Sequence, residues 1–153
     1  MYNIVTIQNK GQNLPDLTLV MLGAGSSSRF HQKTKKQWLR IGDVPLWQFS
    51  TENLTQLYPF SKIIVTTSPE DRAYAQKFSD AITFVDGGAS RQASLLNALL
   101  HVNTPWVLVS DIARPCINKA MLERLLEAAS SYQCVVPYLP VVDTVVYEEM
   151  TIN

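Results

Sequence analysis

Residues 17–22 read Leu-Thr-Leu-Val-Met-Leu, a nearly unbroken apolar run that stops at Gly23-Ala24-Gly25. A strand with one face in water alternates apolar and polar residues, whereas a run of this kind suits a central strand covered on both faces. That requires helices on both sides of a sheet. Similar short runs rich in β-formers follow at 62–67 (Lys-Ile-Ile-Val-Thr-Thr), 82–85 and 106–110 (Trp-Val-Leu-Val-Ser). Between them, 45–57, 69–78, 90–102 and 118–132 have helical spacing. In the last, Met121, Leu122, Leu125, Leu126 and Ala129 fall on one face and Asn118 stands where a cap is needed. Alternating strands and helices predict an α/β domain with a mostly parallel sheet. Further on, 134–138 reads as another strand, and 141–147 as an extended stretch that stops at 148–153 with no closing helix. Residues 1–16 are polar and aperiodic and end in Asn13-Leu14-Pro15-Asp16. They read as an extension before a domain over 17–153.

Composition narrows the function classes. Hydrophobic residues make up 46% of the 153 positions, enough for one core, and 13 Lys plus Arg balance 13 Asp plus Glu. With no global positive field, a dedicated nucleic-acid binder is disfavoured. No apolar run approaches the roughly 18–20 residues that span a bilayer, and no basic stretch followed by an apolar block opens the chain. A soluble, cytoplasmic protein is the expectation. Cys116 and Cys134 have no metal-ligand spacing and read as reduced, buried structural thiols. Neither His31 nor His101 has a second ligand nearby in sequence, which favours surface or packing roles.

Four of the six glycines sit in two loops, Gly23 with Gly25 and Gly87 with Gly88. Glycine is placed where a ligand or another backbone comes close, and in open α/β sheets ligands bind beyond the carboxyl ends of strands. Free amides from Gly25 to Arg29 can curl around phosphates there, although the same residues suit a tight turn. Two standard phosphate loops are disfavoured. The Gly-x-x-x-x-Gly-Lys-Ser/Thr pattern is absent, and the dinucleotide fingerprint fails because its third glycine position is Ser28. Arg29, Lys33, Lys35, Lys36 and Arg40 put five basic groups within twelve positions of a neutral chain. Such a cluster suits a polyphosphate and the charge that develops when it is displaced, or else a solvated loop. Gly87-Gly88-Ala89-Ser90-Arg91-Gln92-Ala93-Ser94 leads from a strand into a helix. It can offer main-chain groups and Ser94 to the edge of a flat base, or serve only as a turn with Ser90 as the cap. Asp111, at the end of the 106–110 strand, can take Mg²⁺ or pair with Arg114.

Taken in order, Leu22-Gly23-Ala24-Gly25-Ser26-Ser27-Ser28-Arg29-Phe30, Lys36-Gln37-Trp38-Leu39, Gly87 to Ser94, Asp111-Ile112-Ala113-Arg114-Pro115 and Val142-Asp143-Thr144 resemble the motifs of 2-C-methyl-D-erythritol 4-phosphate cytidylyltransferases. The resemblance runs from about Leu17 onward and is specific because five motifs occur in order with matching spacing. It implies a Rossmann-like nucleotidyltransferase domain of GT-A type, a three-layer sandwich. The implied reaction joins CTP and methylerythritol phosphate, with Mg²⁺, and releases pyrophosphate in non-mevalonate isoprenoid synthesis. Arg29 and Lys36 match the basic pair at the α-phosphate. Gly23, Ala24, Gly25, Gly88, Ala89 and Ser94 match positions around the nucleotide, Asp111 and Arg114 the ribose, metal and substrate region, and Thr144 the methylerythritol phosphate site.

The sequence departs from the family pattern in places. Ser27 replaces a second loop glycine, Lys35 a proline, Ala89 an acidic residue and Ser110 a frequent His. Lys35 and Trp38 resemble the variant found in bifunctional enzymes fused to a cyclodiphosphate synthase. The family continues past an arm that begins near Val142, with a further Arg, a Thr-Pro-Gln segment and a second Lys, and that arm forms a homodimer contact. A domain short of its C-terminal part, with little activity by itself, is therefore expected. The alternatives are a related nucleotidyltransferase for another sugar phosphate or cofactor precursor, or a non-catalytic nucleotide-binding module.

Overall fold

The computed structural model describes residues 15–25 and 34–140, together with the backbone at 145–147 and 150–152. It divides into two compact units, Asn13–Asn118 and a second that contains Lys119–Asn153. The larger is built on a four-stranded sheet of β1 (Leu17–Leu22), β4 (Lys62–Thr67), β5 (Thr83–Asp86) and β6 (Trp106–Asp111), in the order β5-β4-β1-β6. Every pairing is parallel. Parallel neighbours need crossovers, supplied by α1 (Leu46–Leu57), α2 (Pro69–Ala75) and α3 (Arg91–Leu99). The chain steps outward from β1 to β4 and β5, then returns to lay β6 on the other side of β1. Its direction of travel reverses at β1, the switch point beyond which ligands bind in such sheets.

All six residues of β1 are buried, as its apolar run predicts. Successive side chains point to opposite faces. Leu19, Met21, Val65 and Phe84 meet Trp47 and Leu54 of α1 and Ala75 of α2 on one side. On the other, Val20, Leu22, Ile64 and Val85 meet Ala98 of α3. The result is a three-layer α/β sandwich.

The sequence expectations differ at several points. The helices are trimmed, with Pro45 and Ser90 becoming caps of α1 and α3 and 76–78 turning into a 3-10 helix after α2. A small hairpin, β2 (Arg40–Ile41) with β3 (Val44–Pro45), is an addition to the expected elements. Its strands are too short to show alternation. Its signal is the Gly42-Asp43 pair, since a two-residue hairpin turn needs positive φ and Gly42 has φ 59°. The expected strand at 134–138 is not formed. Pro137 and Pro140 cannot donate to a ladder, and Val136, Tyr138 and Leu139 are exposed. A run of β-formers becomes a strand only beside a neighbour that bonds to it.

In the smaller unit, α4 (Lys119–Ala129) follows the expected amphipathic pattern, with Leu122 buried. Val145–Tyr147 forms β7 and pairs antiparallel with β8, Met150–Ile152, while 141–144 of the expected extended stretch lie outside the described residues. Cys116 and Cys134 are free thiols, as expected, but both are exposed rather than buried, because they lie outside the packed faces of helices and strands. His101 is exposed, and His31 lies outside the described residues.

Leu19 is fully enclosed at the centre of the sheet, whereas Leu100 is 84% exposed just past α3. Leu19→Ala should therefore cost about 3 kcal/mol in urea unfolding, as buried Leu truncations do. Leu100→Ala should stay within about 0.5 kcal/mol of the parent.

Candidate functional site

Strand register gathers the site. Leu22, the last residue of β1, lies opposite Thr66 of β4 and Asp111 of β6. The Gly23 amide then donates to Thr66 Oγ1 at 3.1 Å, and the Ile112 amide donates to the Leu22 carbonyl at 3.2 Å. Three strand ends and the loops that leave them are thus bonded at one level. The loop after β5 joins through the Gly87 amide, which donates to the Thr67 carbonyl at 2.8 Å. A Cβ on Gly87 would lie 2.1 Å from Ala24 Cβ, so glycine is required for the two loops to meet. From below, α1 holds the loop after β6: Ser50 Oγ donates to the Ile112 carbonyl at 2.6 Å, and Asn53 Nδ2 donates to the Pro115 and Ile117 carbonyls at 2.9 Å each.

These loops enclose a cavity of about 670 Å³, within the range of small-molecule sites. Gly23, Ala24, Gly25, Lys36, Gly88, Ala89, Ser94, Asp111 and Arg114 all line it, bringing together nine residues singled out from sequence. Arg29 and Thr144 lie outside the described residues. Thr66, Gln37, Ser90 and Arg91 also line it, and sequence reasoning did not assign them to the site. For Arg91 a signal existed. It opens α3 directly after the Ser90 cap, where a cation opposes the helix dipole and so has no structural advantage.

Among the described residues the lining carries three cations, Lys36, Arg91 and Arg114, against the single carboxylate of Asp111. Arg91 Nη2 donates to Asp111 Oδ1 at 3.1 Å, and Arg114 Nε lies 3.1 Å from Oδ2. The carboxylate is mostly buried, while both guanidinium side chains are more than 60% exposed and can turn toward an anion. The surplus of positive charge suits a polyphosphate. Among the described residues no group of three or more His, Cys, Asp or Glu is placed to hold a metal. Mg²⁺ needs only one or two carboxylates when phosphates and water supply the rest, so Asp111 beside bound phosphates fits that ion.

The sequence profile of the family described as IspD, 2-C-methyl-D-erythritol 4-phosphate cytidylyltransferase, matches residues 17–152. The chain belongs to this family. It is 48% identical over 153 residues to the bifunctional enzyme IspD/IspF of Sulfurimonas denitrificans, matching all of this chain and 39% of that protein. The Campylobacter concisus bifunctional enzyme is 51% identical over 138 residues, which is 90% of this chain and 37% of the relative. Among solved structures, the bifunctional IspDF from Campylobacter jejuni superposes with a TM-score of 0.85 at 40% identity, covering 90% of this chain and 37% of that one. The 2-C-methyl-D-erythritol 4-phosphate cytidylyltransferase from Thermus thermophilus gives 0.71 at 26% identity, covering 90% and 64%. The chain thus spans under two-fifths of the curated relatives' length, and those relatives are of the bifunctional kind that Lys35 and Trp38 resemble.

Within this cytidylyltransferase-family domain, Lys36 is carried by a single 3-10 turn, Lys36–Trp38. The Trp38 amide donates to the Lys35 carbonyl at 3.0 Å, and the Leu39 amide donates to that of Lys36 at 3.1 Å. On one flank Trp38 packs among Trp47, Tyr74 and Phe78. On the other, Lys35 Nζ donates to Asp71 Oδ2 at 2.7 Å and Ser68 Oγ at 3.0 Å. Burial pushes the Asp71 carboxyl up, but hydrogen bonds from Lys35, Ser68 and Trp38 and the Lys35 charge more than reverse this. The group titrates below the ordinary aspartate range.

Gly87→Ala should lower stability by about 1–3 kcal/mol, the usual cost of overpacking, and widen the gap between the two loops. Adding Ala24→Gly should recover much of that loss, since it removes the nearest atom the new methyl meets and leaves only the milder approach to Ser94 Oγ at 3.1 Å. Gly25→Ala, whose Cβ would meet none of the described residues within 4 Å, should be near-silent. Thermal unfolding of the four proteins checks the set.

Proposed function

We propose that this chain forms the nucleotide-binding part of an enzyme that transfers CMP from CTP to 2-C-methyl-D-erythritol 4-phosphate and releases pyrophosphate. The observation that carries the reading is one cation-rich cavity of about 670 Å³ at the carboxyl ends of β1, β4 and β6, in a chain of this family. A phosphate oxygen of the acceptor attacks the α-phosphorus of CTP. As that P–O bond forms, the bond from the α-phosphorus to the oxygen bridging the β-phosphate breaks, and pyrophosphate leaves with the electron pair.

No protein nucleophile is needed, so the chain contributes position and charge. In this reading Lys36 and Arg29 stabilise the charge that grows on the phosphoryl oxygens in the transition state. Main-chain groups of Gly23, Ala24 and Gly25 face the nucleotide, and Arg91 and Arg114 turn from Asp111 toward the phosphates. Thr144 contacts the acceptor. Asp111 holds Mg²⁺, which when bound neutralises phosphate charge and fixes phosphate geometry.

The base preference follows from one hydroxyl. Ser94 Oγ accepts from the Gly88 amide at 3.0 Å and donates to the Ser90 carbonyl at 2.9 Å. Its hydrogen is committed, so it can only accept from a ligand. The cytosine amino group is a donor, whereas uracil has an acceptor at that position. Gly88 and Ala89 supply main-chain groups beside it.

No helix among the described residues is long and apolar enough to cross a membrane. Free, exposed Cys116 and Cys134 suit a reducing compartment, and the reading places the whole enzyme in the cytoplasm as a homodimer.

In the whole protein, pyrophosphate release should require both CTP and methylerythritol phosphate and fall sharply with UTP or GTP. Lys36→Ala should cut turnover by about 10²–10³-fold with unchanged circular dichroism, as loss of one preorganised charge contact does. Undiminished turnover would remove Lys36 from the mechanism, and release without the acceptor would contradict the reaction.

A further inference from the structure

Lys35 and Lys36 are adjacent cations with different surroundings. Lys36 lines the cavity, and Lys35 does not. Its ammonium is bound at 2.7 Å by Asp71 and 3.0 Å by Ser68, with Glu70 3.8 Å away. Those partners are themselves fixed. Ser68 directly follows β4 and caps α2, its hydroxyl donates to Asp71 Oδ2 at 2.8 Å, and the Asp71 amide donates to the Ser68 carbonyl at 3.0 Å. The Asp71 side chain is 19% exposed and that of Lys35 35%, so the pair is partly shielded from water and salt.

The turn that carries Lys36 is short, a single 3-10 winding rather than part of a longer helix, and is held by side chains that reach the neighbouring helices. Its position therefore depends on what grips its ends. At the far end Trp38 sits in the aromatic cluster against Trp47 of α1 and Tyr74 of α2. At the near end the side chain of Lys35 reaches α2. Asp71 thus binds the near flank of the turn that carries Lys36 and, through Ser68, ties it to the carboxyl end of β4, while α2 also meets the far flank through Tyr74.

We propose that Lys35 is a positioning residue, whose ion pair with Asp71 fixes the turn that aims Lys36 into the cavity. This rests on the reading of Lys36 given above. It differs from a phosphate-binding role because the Lys35 charge is satisfied by protein groups and faces away from the ligand space. A displacement of about 1 Å at a reacting group can lower a rate by about 100-fold, so the loss of such a tie appears in kcat.

The test is made in the whole protein with Lys35→Met, Asp71→Asn, Lys35→Arg and Lys36→Ala. Lys35→Met and Asp71→Asn should each lower kcat by about 10- to 100-fold with little change in KM for CTP, the signature of a contact felt in the transition state. In both, the Trp38 and Leu39 amides should exchange hydrogen faster, because the turn they close is loosened. Lys35→Arg should retain most of the rate. A rise in KM for Lys35→Met that Asp71→Asn does not share would instead make Lys35 a phosphate ligand and overturn the proposal. Unchanged kcat in Lys35→Met or in Asp71→Asn would also overturn it, provided Lys36→Ala is inactive. Full activity of Lys36→Ala would overturn the Lys36 assignment and this inference together, and a faster exchange in Lys35→Met would then describe only a structural tie.

Discussion

The ladder on both edges of β1 is the interaction on which the rest of this domain depends. Because β1 is paired on each side in parallel register, Leu22 is held between Thr66 and Asp111, and the loops after three strands leave from one line. Its side chains anchor both helical layers, Leu19 and Met21 on one face and Val20 and Leu22 on the other. A shift by one residue would exchange those faces and separate the loop that starts at Gly23 from the Asp111 carboxylate. Strand pairing and cavity geometry are therefore one constraint.

The walls of the cavity are then secured by side-chain contacts to regular elements, most of them outside the lining. Ser50 and Asn53 reach from α1 to the carbonyls of the loop after β6. Asp71 and Ser68 hold Lys35 at the entrance to the Lys36 turn. Ser94 bridges Gly88 and Ser90 across the first turn of α3. Short, irregular segments are poor at holding charged groups in place, and each here is bound to a regular element by at least one side chain. The arrangement separates tasks: buried hydroxyls, an amide and an ion pair give rigidity, while Arg91 and Arg114 keep exposed, movable charge.

The sheet was legible because burial on both faces leaves an unambiguous trace in composition. The runs at 17–22 and 62–67 match their strands end for end, and the other two are off by one residue. Cys134 to Tyr138 misled because β propensity describes a residue's fit to a sheet and says nothing of whether a partner strand is there. Gly42-Asp43 passed unnoticed because two residues on either side show no period. Nine residues that line the cavity stand out in the sequence by glycine clustering, charge and family motifs. Arg91 lies inside one of those motifs, yet a cation at a helix start reads first as surface. The tie between Lys35 and Asp71 joins positions 36 residues apart, and no local pattern announces such a pair.

The central claim is that the space above β1 receives a cytidine nucleotide. It is tested most directly by titrating the isotope-labelled chain with CTP and Mg²⁺ and following backbone amide resonances. The account predicts saturable shifts concentrated at Gly23 to Gly25, Lys36, Gly88, Ala89 and Asp111, with much weaker shifts for UTP at the same concentration. Shifts of equal size for both nucleotides, or shifts centred away from these loops in a folded protein, would contradict it.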